Sequence, residues 1–223
     1  MVSISVDQEL KNVAPDLTLG VACASVSVSK CDGSLWKEIE RRIAEITSQI
    51  KLETIGDLPE FKALRDVYRA LGKDPTRYRG SAEALARRIL QGKCLYQINT
   101  VVDINNLVSL ETLRSVGSYN LANLKPPLVF RIGEMGEMYR GIGKDIVNIA
   151  KLPVFSDELG PFGSPTSDSE RAMITIDTRD LMMVIISFTG SSQLQRQLGR
   201  VADLLRTYAK ATEEDIETFM VGQ

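Results

Sequence analysis

Three groups of side chains have types and spacings that could do chemistry. Asn99, Asp103 and Asn106 punctuate an otherwise apolar stretch, and a helix through it would bring at least Asp103 and Asn106 to one face. Such residues either solvate the outer side of a helix or point into a pocket, and periodicity alone fits both. Asp157 and Asp168 flank the turn-rich segment Pro161-Phe-Gly-Ser-Pro-Thr-Ser-Asp168, where a carboxylate can orient a hydrolytic water or cap a turn. The third group is basic. Between Lys62 and Lys93 nine basic residues face three acidic ones, a local charge of +6 in a chain whose formal net charge is −2, which leaves −8 on the remainder. Arg65 and Arg69 are one helical turn apart, Arg77 and Arg79 bracket Tyr78, and Arg87 and Arg88 follow. A guanidinium fork suits phosphate, and an aromatic ring among arginines suits a stacked base, so this patch reads as a polyphosphate footprint. The alternative is a solvated helix pair whose charges are met by the acidic half of the same chain.

The absence of one residue type excludes much. There is no histidine among the 223 residues, so Ser-His-Asp and Cys-His nucleophilic catalysis and the common imidazole metal sites are ruled out. Acid–base chemistry near neutral pH would need a shifted carboxylate, Lys, Tyr, Cys or an oriented water. Cys23, Cys31 and Cys94 are odd in number and lack CxxC spacing, which fits a reducing compartment and neither a disulfide framework nor a zinc site. We therefore expect no metal and no cofactor. The Gly-rich run Gly133–Lys144 fails the phosphate-loop pattern, since Gly136-x4-Gly141 is followed by Ile142; it reads as hairpin turns.

These side chains need a scaffold. Leu17–Val28 alternates partially and is rich in small and β-branched residues, as a strand covered on one face would be. Leu35, Ile39, Ile43, Ile46 and Ile50 predict an amphipathic helix after a turn at Asp32. Asp57-Leu-Pro-Glu60 reads as a helix start with Asp57 as the cap, followed by a buried stripe of Phe61, Leu64, Val67, Tyr68 and Leu71. A short helix opens at Ser81, and a third, with Asn99 as cap, spans roughly Val101 to Leu113 with Val101, Ile104, Leu107 and Val108 inward.

Beyond Gly117 the chain becomes a β-rich half of five or six short strands, among them Leu128–Ile132, Leu152–Ser156, Ala172–Ile176 and Met182–Phe188. Pro161–Asp168 reads as an exposed loop. A long helix begins near Ser191, and Thr212-Glu-Glu-Asp215 predicts a short terminal one. The expected class is α+β, with mixed or antiparallel sheets, an N-terminal helical extension and a long C-terminal helix. The expected layout is one domain over 1–223: a strand and helix extension (1–60), a core (61–190) and C-terminal helices (191–223). No apolar run approaches the ~20 residues of a membrane helix. Met1-Val-Ser-Ile4 carries no leader signal, so a cytoplasmic protein away from membranes is expected.

Tyr96-Gln-Ile-Asn-Thr-Val-Val-Asp-Ile-Asn-Asn-Leu-Val-Ser-Leu-Glu111 resembles the Ile-Asn-x-Val-Val-Asp-Ile-x-Asn signature of the tRNA-editing module in the phenylalanyl-tRNA synthetase β subunit. The resemblance continues through Gly117-Ser-Tyr-Asn-Leu121 and Leu128-Val-Phe-Arg131. It extends to free-standing relatives of the module through Tyr68-Arg-Ala-Leu-Gly-Lys-Asp-Pro-Thr-Arg-Tyr-Arg79 and Ser81-Ala-Glu-Ala-Leu-Ala-Arg-Arg88, covering roughly residues 61 to 190. It implies an α+β domain with a pocket for an aminoacyl group on the 3′ end of tRNA. Carried over by motif, Asn99, Asp103 and Asn106 would line or brace that pocket. Arg131 and Glu134 would lie on the facing strand, and Asp157 and Asp168 at the rim.

Two departures are visible. Where the synthetase supplies a pocket histidine this chain has Val116-Gly-Ser-Tyr119, and the synthetase's selective glutamate has no counterpart in Met182–Ser187. The reading that follows is a tRNA- or RNA-binding protein, whose catalytic form would be a stand-alone aminoacyl-tRNA ester hydrolase. An ester is already activated, so a fixed water in a site shielded from bulk solvent suffices without imidazole. Asp103 or Asp157 would orient that water. The asparagines would hold the terminal ribose or the α-amino group, and Arg65, Arg69, Arg77, Arg79, Arg87 and Arg88 the acceptor-stem phosphates. The alternative is a non-catalytic small-molecule or protein-binding module that retains the fold.

Overall fold

The computed structural model describes residues 2–222; Met1 and Gln223, the outermost positions of the two expected extensions, lie outside them. Two four-stranded sheets stack face to face, and a layer of helices covers the outer face of one. The first sheet has the order β10 (Ile216–Val221), β2 (Thr18–Ser25), β9 (Asp180–Ser187), β3 (Ser115–Asn120), antiparallel throughout. The second runs β1 (Ile4–Val6), β4 (Leu128–Ile132), β7 (Pro153–Asp157), β8 (Gly160–Gly163), with β1 parallel to β4 and the other pairs antiparallel. A separate hairpin joins β5 (Met138–Arg140) and β6 (Ile146–Asn148). The α+β class with mixed and antiparallel sheets is thus realised.

The sandwich covers both faces of β2 and β9: β9 accordingly reads as a continuous apolar run, whereas β2, expected to be covered on one face, is buried on both. Leu181, Met183 and Ile185 of β9 point to the helices, while Met182, Val184 and Ile186 join Phe130, Phe155 and Phe162 between the sheets. On the helical side α5 (Thr100–Thr112) is central. It packs among α2 (Gly33–Gln49), α4 (Ser81–Leu90) and α6 (Leu194–Ala209), which is why Val101, Ile104, Leu107, Val108 and Leu110 are buried nearly all round it. α3 (Pro59–Ala70) buries Phe61, Leu64, Val67 and Tyr68, and a short α1 (Gln8–Val13) leads into β2. Among the described residues no helix is long and apolar enough to cross a membrane.

Several local expectations are corrected. Asp32 caps α2 as expected, but α3 is entered from Leu58 with no side-chain cap, because Asp57 closes a 3-10 turn instead. Thr212–Asp215 is a turn leading into the edge strand β10, so the terminal helix is absent. Ala172–Ile176 forms no strand; it follows a 3-10 turn at Glu170–Ala172. Val116–Tyr119, the segment that stands where the synthetase has its histidine-bearing turn, lies inside β3. The Pro161–Asp168 loop is the largest departure, because Gly160–Gly163 is a strand and Phe162 is fully buried.

Candidate functional site

Asn99 and Asp103 both act at the start of α5. The Asn99 side chain accepts from the Val102 amide (3.0 Å) and caps the helix. Asp103 is fully buried and accepts from the Trp36 indole Nε1 (2.8 Å) and the Ile98 amide (3.2 Å), so it ties α5 to α2. Burial raises its pKa, and those two donors oppose the rise. Asn106, one turn on from Asp103, is half-buried.

The other acids are partnered as well, with one exception. Asp157 ends β7 and receives both Arg171 Nη atoms (2.9 Å each) and the amides of Lys125 (2.8 Å) and Leu159 (2.9 Å). Burial works to raise its pKa, but the Arg171 fork and the amides outweigh it, so the carboxyl is held below its ordinary value. Arg131 forms a two-pronged pair with Glu137 (2.7 and 2.8 Å), while the Glu134 side chain is exposed and only its amide reaches Glu137 (2.6 Å).

Asp168 is different. Its Oδ1 accepts from Tyr119 Oη (2.9 Å) and from the Ser164 amide (3.2 Å), whereas Oδ2 carries no hydrogen bond and is not sealed from solvent. Burial pushes its pKa up from 3.8 to about 7, against the opposing pull of those two donors.

The Asp168 loop is anchored from three elements. Tyr68 of α3 meets Thr166 Oγ1 (2.6 Å), Tyr139 of β5 donates to the Ser167 carbonyl and to Ser164 Oγ (3.2 Å), and Tyr119 of β3 holds Asp168. The Ser81 amide and Ser115 Oγ both bind the Pro165 carbonyl (2.7 and 3.1 Å). The loop's polar groups are met by these distant partners, which lets it sit inside the fold. Glycine admits the central ring: a Cβ on Gly117 or Gly163 would come within 2.2 or 2.3 Å of Tyr119 Oη.

Asp168 opens onto a cavity of about 240 Å³. Its walls are Ile98, Val102, Ile142, Met173 and Ile174, and its polar groups are Asp168, Asn105 and Ser118. Ser118 Oγ donates to Asn105 Oδ1 (2.7 Å), which turns the Asn105 NH2 toward the open side. The cavity therefore offers amide donors at one place, a half-ionised carboxylate oxygen at another, and apolar walls between.

Of the seven acidic, amide and arginine candidates outside the basic patch, the structure sets Asp168 at this cavity; Asn99 and Asp103 brace the helix beside it, and Asp157 and Arg131 lie in their own ion pairs. Asn105 was missed. Its signal was the stripe Ile98, Val102, Asn105, which the inward-facing positions of α5 leave over.

The six arginines divide in two. Arg65, Arg79 and Arg87 surround the Glu83 carboxylate, which is 3% exposed, at 3.0, 3.5 and 2.7 Å. Arg69 pairs with Asp66, Arg77 packs on Tyr78, and Arg88 lies 4.4 Å over the ring of exposed Tyr96, two residues before Ile98 of the cavity wall.

A family model described as the B3/4 domain matches residues 63–216. That bears out the relation to the phenylalanyl-tRNA synthetase β-subunit module in which the domain is found. Among solved structures, an N-terminal fragment of the phenylalanyl-tRNA synthetase β-subunit from Pyrococcus horikoshii is similar at a TM-score of 0.48 and 13% identity, over 99% of this chain and 50% of that one. The chain thus spans half the length of that fragment. No curated protein matches.

Proposed function

This chain belongs to the B3/4 domain family, and on that premise we propose that it binds the aminoacyl-bearing 3′ end of tRNA and hydrolyses the ester. The observation that carries the reading is the cavity on the α5–β3 segment, with Asp168 Oδ2 and the Asn105 NH2 both unengaged at its polar side. A volume of about 240 Å³ suits an aminoacyl group and leaves most of the nucleotide outside. Arg88 on Tyr96 provides a cationic, stackable surface close along the chain for the terminal base, and Arg77 on Tyr78 extends it.

In this scheme Asp168, rather than Asp103 or Asp157, takes the proton. A carboxyl with a pKa of about 7 is roughly half ionised at neutral pH and matched to general-base work. Water attacks the ester carbonyl carbon and gives its proton to Asp168 Oδ2, while the Asn105 NH2 donates to the carbonyl oxygen as charge develops there. The bond to the ribose oxygen then breaks, and Asp168 returns the proton to that oxygen, releasing free amino acid and tRNA.

Purified protein incubated with a panel of mischarged tRNAs tests this. Deacylation above the buffer rate for at least one, lost in Asp168→Asn and reduced at least ~100-fold in Asn105→Ala, is the expected result. Protection of an aminoacyl-tRNA without turnover would leave a binding module. Neither binding nor turnover with any tRNA would overturn the reading.

A further inference from the structure

A second cleft, of about 410 Å³, opens at the other end of α5, between Glu111–Leu113, the start of α6 and Glu60. Beneath it lies a cation that has no adjacent counter-ion among the described residues. Arg114 is 6% exposed; Nη1 donates to Gln197 Oε1 (2.7 Å), Nη2 to Thr189 Oγ1 (3.0 Å), and Nε has no acceptor. Burial depresses its pKa, and the more distant charge of Glu60 acts against that. A guanidinium can only donate, so it commands the Gln197 carbonyl oxygen and turns the Gln197 NH2 away from itself. Gln197 is 9% exposed, and that NH2 has no acceptor yet is not sealed, so it faces the cleft the residue lines.

Two neighbouring groups, Gln193 and Arg196, are donors too, in a cleft that the carboxylates of Glu60 and Glu111 also line. Gln193 Oε1 is taken by Arg196 Nη2 (3.2 Å), which leaves the Gln193 NH2 free. Arg196 has no carboxylate partner among the described residues, while Glu111 in the same cleft pairs with Arg200 (3.0 and 3.2 Å), a guanidinium it shares with Glu38. The first turn of α6 carries no acidic residue and no side-chain cap, so its positive end is unopposed.

We propose that this cleft is a binding site for a small organic anion. Its carboxylate or phosphate would be held by the NH2 groups of Gln193 and Gln197 with Arg196, and its apolar part would lie against Val108 and Leu113. The site is separate from the Asp168 cavity and does not depend on the tRNA reading.

The test follows the side-chain NH2 resonances of Gln193 and Gln197 in isotope-labelled protein during titration with inorganic phosphate and, separately, acetate, each against chloride at equal ionic strength. Saturable shifts in the millimolar range, with the Asn105 NH2 unmoved, are expected; response to one anion alone identifies the preferred group. Arg196→Ala should weaken binding about tenfold or more. Gln197→Glu should abolish it while raising the unfolding temperature, because it gives Arg114 the carboxylate it lacks. The proposal is overturned if neither anion gives a saturable shift, or if the shifts survive both substitutions unchanged.

Discussion

Asp168→Asn removes the charge of the candidate base while keeping its shape, and the structure specifies how stability should respond. An asparagine Oδ1 can accept from Tyr119 Oη and the Ser164 amide as the carboxylate does, and its NH2 then takes the place of the unengaged Oδ2. The wild-type carboxyl has a pKa of about 7 in the folded protein against 3.8 ordinarily. A proton held more tightly in the native state stabilises that state below the unfolded pKa. This contribution is lost as the pH rises from about 4 to about 7. Three units at 1.36 kcal/mol each set the loss at up to about 4 kcal/mol. Asparagine does not titrate, so the variant should match wild type near pH 4 and exceed it by up to a few kcal/mol at pH 8, as expected where a functional charge is held at a stability cost. Urea unfolding at intervals from pH 4 to 8, with m-values confirming the same exposed surface, reads this directly. Parallel stability–pH curves for the two proteins, or a variant less stable at pH 8, would refute the argument that Asp168 is held in a desolvated site.

Glu83→Gln leaves Arg65, Arg79 and Arg87 without their shared anion. Because those guanidiniums keep 17–34% exposure, the loss should fall at about 2–3 kcal/mol, below that of a fully buried pair, as a drop in the urea midpoint. Gly163→Ala forces a methyl against Tyr119 Oη and should cost about 2 kcal/mol, partly recovered in a Tyr119→Phe background where the nearest atom is gone; an unchanged midpoint would contradict the close packing. Arg77→Ala with Arg88→Ala should weaken tRNA binding and reduce its salt slope by about 1–2, measured by filter binding across salt concentrations. An unchanged slope would remove these two arginines from the interface.

The helices were legible because each depends on a local pattern. The Leu35–Ile50 and Phe61–Leu71 stripes and the Asn99 cap appear at the expected places. The strands β4, β7 and β9 were legible as apolar runs. What the sequence concealed depends on partners remote along the chain. Pro161–Asp168 has the composition of an exposed loop, and it is internal only because Tyr68, Tyr119 and Tyr139 reach it from three elements. β10 carries no distinctive signal since its register is fixed by β2, nearly two hundred residues earlier.

The site shows the same division. Spacing places Asp103 and Asn106 on one helix, but it does not show that Trp36 of α2 takes Asp103 and that Ser118 of β3 takes Asn105. Likewise the basic segment is visible as charge, yet only burial of Glu83 separates the arginines that surround it from Arg69, Arg77 and Arg88.

In the proposed function the Asp168 cavity receives the aminoacyl end of tRNA. The most direct test is titration with an adenosine carrying an amino acid through a non-hydrolysable 3′-amide, read by the Asn105 side-chain NH2 and the methyl groups of Ile98, Val102 and Ile174. Saturable shifts at those positions, lost in Asn105→Ala, are predicted. Shifts confined to the cleft at the start of α6, or none anywhere, would contradict the assignment.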